Sequence, residues 1–156
     1  MELSAQVPLR FEGHGTRLYY PGETLAGSYS LTDYADEAIE AVEVSVLWRT
    51  EGKGNEDFRV HAFWRRSLKA GDWIDPRTGG RFSVTLPNSP LSYEGELVKI
   101  YWVVRIRLYL ADGRQEIAEH PFRLGNVSSI RMLRELHSTE EADDRHQIGL
   151  TTEILQ

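Results

Sequence analysis

At 156 residues, with 40% hydrophobic and 27% charged side chains, the chain is long enough for one domain with a full core and lacks the bias of a disordered or fibrous protein. The absence of cysteine removes disulfides, thiol nucleophiles and every cysteine-ligated metal site, and a net charge of −6 argues against a protein built mainly to coat nucleic acid. No segment approaches the ~20 apolar residues needed to span a bilayer, and the first thirteen residues have neither a basic start nor a signal-length apolar run, so the expected compartment is cytoplasmic.

Period-two alternation dominates the chain, and it predicts about eight strands, at roughly 7–11, 16–20, 24–32, 40–50, 56–69, 80–86, 97–110 and 114–124. The first two run up to Pro21-Gly22, a turn signal. The third contains Gly27, a poor strand residue that predicts a bulge or a tight crossing. In the fourth, Val42, Val44, Val46 and Trp48 alternate with Glu43, Ser45, Leu47 and Arg49. Successive strand residues point to opposite faces, so the first set is expected in a core. Glu51–Asn55 reads as a hairpin tip leading into the fifth strand. A loop over Asp75–Gly80 precedes the sixth, with Phe82, Val84 and Leu86 on one face. In the seventh, Ile100, Trp102, Val104, Ile106 and Leu108 alternate with Lys99, Tyr101, Val103, Arg105 and Arg107. The Asp112-Gly113 pair predicts a tight hairpin into the eighth, whose apolar set is Ala118, His120, Phe122 and Leu124. Trp48, Trp64, Trp73 and Trp102 are expected to supply much of the core.

Many strands, turns between them and no long helical period predict an all-β chain: an immunoglobulin-like sandwich of two antiparallel sheets over 1–125. Residues 126–156 read as an extension. Ile130, Leu133 and Leu136 stand at helical spacing, an acidic linker follows, and Ile148, Leu150, Thr152 and Ile154 alternate as an edge strand or frayed tail would.

Three pieces in this order resemble the arrestin N-terminal-like domain. The first is Tyr20-Pro21-Gly22-Glu23-Thr24-Leu25-Ala26-Gly27, a Pro-Gly-Glu turn entering a glycine-bearing strand. The second is the run from Phe82 to Tyr93, with Leu86-Pro87 and then Pro90, Ser92 and Tyr93 in a Pro-x-Ser-aromatic bend. The third is the long strand that follows, its hairpin, and Pro121-Phe122-Arg123-Leu124. The resemblance spans roughly 7–124 and implies a stand-alone arrestin-like sandwich that works by binding proteins, with peripheral contact to a membrane surface also open. Departures limit it. Arrestins proper have two such sandwiches, this chain has room for one, and neither a Pro-Pro-x-Tyr motif nor an adjacent lysine pair near the start is present.

No catalytic signature emerges. His14, His61, His120, His137 and His146 lack metal-ligand spacing, and His120 reads as a hydrogen-bonded core histidine. Glu94 and Glu96 are two apart in a loop with no apolar pocket evident, and Ser89 and Ser92 have no nucleophile-elbow context. No cofactor or metal is expected. The candidate binding surface is basic and aromatic. Lys99, Tyr101, Arg105 and Arg107 share one strand face, and Phe58–Lys69 adds Arg59, His61, Phe63, Arg65, Arg66 and Lys69. Such a groove suits an acidic or phosphorylated partner or anionic lipid. The plain alternative is a solvated face whose arginines pair with Glu43, Glu56 or Asp57. The expected function is a non-enzymatic interaction or scaffold module, open to homo-oligomers through edge strands or the tail. The alternative is a carbohydrate- or small-ligand-binding module using Trp64 or Trp73.

Overall fold

Each predicted strand forms, and one more joins them. The structure, a computed structural model, describes residues 6–13, 15–54 and 56–125. The predicted helix and edge strand beyond 125 lie outside these residues. The strands are β1 (Leu9–Phe11), β2 (Leu18–Tyr19), β3 (Thr24–Tyr29), β4 (Ile39–Gly52), β5 (Phe58–Ser67), β6 (Gly80–Thr85), β7 (Tyr93–Glu94), β8 (Val98–Leu110) and β9 (Gln115–Leu124). Short 3₁₀ turns at Thr32–Tyr34 and Leu68–Ala70 end β3 and β5 earlier than alternation predicted.

The strands form a three-stranded sheet, β1-β3-β6, and a larger sheet ordered β2-β9-β8-β4-β5, with β7 beside β8 beyond the end of β9. Pairing is antiparallel except between β2 and β9, where Leu18 and Tyr19 run parallel to Arg123 and Leu124. Alternation decides what lies between the sheets. Leu25, Tyr29 and Phe82 of the small sheet face Val42, Val44, Val46, Trp102, Val104, Ile106, Leu108 and Phe122 of the large one, all buried in one core. Each contributes roughly 1.5–3 kcal/mol by leaving water. Trp102 packs against Phe122 with ring centroids 5.8 Å apart and planes tilted by 36°, and Tyr19 meets Phe122 edge-on at 5.7 Å. Trp48 and Trp64 pack partly buried against this core, but Trp73 is 79% exposed and contributes nothing to it. It lies after β5, in a loop with no alternation to turn it inward.

The motif residues are structural. Pro21 and Gly22 occupy the centre of a type II turn: Gly22 has φ +82°, and Glu23 N donates to Tyr20 O at 3.1 Å. The Glu23 carboxylate accepts from Tyr20 N at 3.0 Å. Gly22 N then donates to Leu86 O, and Leu86 N to Glu23 O, so the turn is bonded to the chain just before Pro87. Pro90 O accepts the Trp102 indole N–H at 2.7 Å. Ser92 N donates to Leu124 O at 2.7 Å, and Ser92 Oγ accepts from Leu124 N at 2.9 Å. Tyr93, in turn, starts β7.

Gly27 carries no bulge. It pairs in register with Phe11 and Phe82. The close approach is real but comes from a side chain: a Cβ here would lie 2.8 Å from Phe82 Cζ and 3.0 Å from Arg10 O. Glycine lets the Phe82 ring fold across β3. Pairing irregularities lie instead in β4, between Ile39 and Ala41 against β8 and between Val46 and Leu47 against β5, opposite His61.

Two polar groups enter the interior with partners. His120, half-buried, places Nε2 2.8 Å from Val7 O, so that nitrogen carries the proton; burial holds its pKa below the ordinary histidine value. Tyr34 donates its hydroxyl to the buried Glu116 carboxylate and accepts from Gln6 N. Burial, then the Glu116 bond, pushes the Tyr34 phenol from 10.0 to about 12. A phenol raised in the folded state favours its protonated form there. Its contribution is complete below pH 10 and is lost as pH rises through about 12. Urea unfolding of the wild type relative to Tyr34→Phe is therefore expected to show a constant stability difference below pH 10 that shrinks toward pH 12. A second expectation concerns packing. Gly27→Ala lowers stability by about 1–3 kcal/mol, and the loss is smaller in a Phe82→Leu background, as a chemical-denaturation double-mutant cycle would show.

Candidate functional site

The candidate surface lies on the outer face of the large sheet, away from β1-β3-β6. Register lays it out in rows from β5 to β9. Phe58 stands beside Arg49 and Tyr101; Val60 beside Leu47, Val103 and Pro121; Phe63 beside Ser45, Arg105 and Glu119; Arg65 beside Glu43, Arg107 and Ile117. Lys99, Tyr101, Arg105, Arg107 and Arg65 thus share one face, as alternation expected.

Arg59 and Arg66 do not join them. The shift at His61 inserts one residue into β5 and reverses the alternation before it, which turns Arg59 away, whereas Arg66 faces away simply because it adjoins Arg65. Arg59 comes opposite Trp48 on the other face, and Arg66 opposite Val42. Arg66 donates to Tyr29 Oη at 2.8 Å and Gly79 O at 3.2 Å, lacing the two sheets. His61 Nε2 lies 2.9 Å from Thr85 O, a second lace along the same open side. The signal was present in the sequence: the large apolar residues Phe58 and Val60 fall on even positions and Phe63 on an odd one, a change of parity that only an inserted residue reconciles.

The face is also less basic than its arginines suggest. Glu119 accepts from Arg49 at 2.8 Å and from Arg105 at 3.2 Å, and Glu43 faces Arg65 at 3.0 Å. The bonds from Glu119 raise the Arg49 pKa further, against the opposing effect of burial. Arg65 also sits 5.2 Å over the Tyr109 ring. Glu43 was anticipated as a partner; Glu119 was not, because β9 reaches Arg105 only through the β8–β9 register. Of the candidate cations, Lys99 keeps an unpaired charge on this face among the described residues, and Arg59 does so on the opposite one. Leu47 and Val103 are buried on this outer face, while Phe58, Val60 and Phe63 remain 61%, 47% and 51% exposed along β5.

Other candidates resolve into structure. Ser92 Oγ is committed to Leu124 N, and both described histidines bond to backbone carbonyls. Glu94 and Glu96 are exposed. No group of three metal-ligating side chains occurs among the described residues, nor does any helix there have the length and apolarity to cross a membrane. His14, His137 and His146 lie outside them. Trp64 packs against Phe82 at 5.8 Å and offers no open platform.

No protein-family model and no curated protein matches the chain. Among solved structures it is similar to Spo0M, the sporulation control protein of Bacillus subtilis, with a TM-score of 0.51 and 14% identity. The match covers 87% of this chain and 55% of that one, so this chain spans about half the length of that protein. The likeness shows the fold, an arrestin-like β-sandwich.

The two kinds of polar contact differ in worth. Exposed ion pairs contribute about 0–1 kcal/mol each, whereas a buried N–H left without an acceptor costs roughly 1–3 kcal/mol. Thermal unfolding is expected to show Glu119→Gln within about 1 kcal/mol of wild type and Ser92→Ala destabilised by about 1–3 kcal/mol.

Proposed function

We propose that the chain is a non-enzymatic protein-interaction module that takes an extended, acidic segment of a partner protein along β5 and the adjoining outer face. One observation carries this reading. Among the described residues β5 is a sheet edge, paired only with β4, and it presents exposed Phe58, Val60 and Phe63 beside that edge. An open strand edge supplies a row of main-chain donors and acceptors, and alternate side-chain contacts supply selectivity. From Phe58 to Lys69 there are four cations and no carboxylate; Arg65 pairs with Glu43 and Arg66 is bonded to Tyr29 and Gly79, which leaves Arg59 and Lys69 along the edge, with Lys99 on the outer face, to supply positive charge. An added strand carrying acidic residues would meet favourable charge there, and its apolar residues would cover the three exposed ones. The arrestin-like fold is compatible with such a role, and the described histidines and Ser92 are engaged in holding the structure.

The test is fluorescence anisotropy with a labelled twelve-residue peptide that alternates acidic and apolar residues. The full chain is expected to bind it, with affinity falling as salt rises. Phe63→Asp and the pair Arg105→Glu with Arg107→Glu are each expected to weaken binding ten-fold or more. Unchanged affinity in both variants would remove this surface from consideration. A second copy of the chain can compete for the same edge, and light scattering on the same samples reports it. Tryptophan fluorescence that responds to oligosaccharides while the peptide fails to bind would favour a sugar-binding role through the exposed Trp73.

A further inference from the structure

The opposite end of the large sheet contains a notch created by its strand pairing. β9 pairs with β8 only as far as Phe122 beside Trp102, and β7 resumes on that side with Tyr93 beside Ile100. Between them Tyr101 has no strand partner on this side among the described residues. β2 closes the far wall by its parallel pairing to the end of β9. The result is an open cavity of about 310 Å³, with Ile100, Pro121 and Phe122 among its apolar lining, and Arg17, Arg123 and Glu94 as its charged groups.

The charged groups are placed in an unusual way. Arg17 has φ +54°, the left-handed region that residues with a side chain rarely adopt. It is held there by Arg123 N, which donates to Arg17 O at 2.9 Å, and by its own guanidinium, 4.7 Å over the Phe11 ring. Local strain of this kind concentrates at ligand sites. Neither Arg17, Arg123 nor Glu94 makes an ion pair among the described residues. Two guanidiniums and one carboxylate leave the notch with one net positive charge, beside an apolar wall.

We infer that this notch binds a small organic carboxylate: a single negative charge on an apolar body. The planar guanidinium fork matches a carboxylate, with two parallel N–H donors to its two oxygens. The volume is that of a small-molecule site rather than of a macromolecular groove. Glu94 sets the charge limit: a monoanion brings the notch to neutrality, whereas a phosphate dianion would leave it with one net negative charge. The site is independent of β5, which lies at the other end of the sheet order.

The experiment titrates the full chain, amide-labelled for NMR, with phenylacetate, its neutral isostere phenylacetamide, and phenyl phosphate. Phenylacetate is expected to shift the amides of Arg17, Tyr101 and Arg123, and to bind at least ten-fold more tightly than phenylacetamide. Arg123→Gln, an exposed position, is expected to lower phenylacetate affinity ten-fold or more, and Glu94→Gln to admit phenyl phosphate. Phe63→Asp is expected to leave phenylacetate binding unchanged, which separates this site from the peptide surface. No shift at millimolar phenylacetate, equal affinity for the amide, or full affinity in Arg123→Gln would each overturn the assignment. The carboxylate-to-amide comparison on the wild type decides the question even if a variant fails to fold.

Discussion

The burial of Trp102 constrains the rest of the molecule. Its indole is 1% exposed, at the level of the large sheet where β4, β8 and β9 run side by side. A side chain of that size contributes to the core only if its N–H finds an acceptor, since a buried donor without one would cancel much of the gain. Pro90 O supplies it. The bend that delivers this carbonyl also delivers Ser92, which bonds Leu124 through both backbone and side chain. Phe122, two residues earlier, then packs tilted against the same indole. One buried ring thus ties the Pro-x-Ser-aromatic segment to the end of β9, and through β9 to β2.

The same bend shapes the edges of the sheet. Since Ser92 meets Leu124, the chain must leave β9 and enter β7 on the same side of β8, and the gap between them becomes the notch at Tyr101. At the other end, β5 has no further neighbour in the large sheet among the described residues. His61 and Arg66 turn toward the small sheet and close the sandwich along that side, while Phe58, Val60 and Phe63 stay outside. The two proposed surfaces are therefore products of where pairing stops, and both use arginine where the sheet runs out of partners.

The fold was legible because alternation is a local property. Val42 to Trp48 and Ile100 to Leu108 state which side is apolar, and tight turns such as Pro21-Gly22 and Asp112-Gly113 separate the runs. The candidate face was legible in part. Lys99, Tyr101, Arg105 and Arg107 share a face because β8 is regular. Arg59 leaves that face because one residue is inserted at His61, and Arg66 leaves it because it adjoins Arg65 in a regular stretch of β5. Gly27 predicts a bulge or a tight crossing because a missing side chain says that something comes close, without saying whether it is backbone or, as here first, the ring of Phe82.

By itself the sequence determined the class of structure, the number of long strands and the inward-facing set of residues. These depend on spacing within a few residues and on removal of apolar surface from water. Tertiary structure alone decided that Glu119 neutralises Arg49 and Arg105, that Trp73 stays outside, and that Arg17, Arg123 and Glu94 share one cavity. Each of those outcomes joins residues far apart in the chain or depends on which neighbour a strand edge lacks. Register and pairing order settle them, and neither is written in the spacing of any single strand.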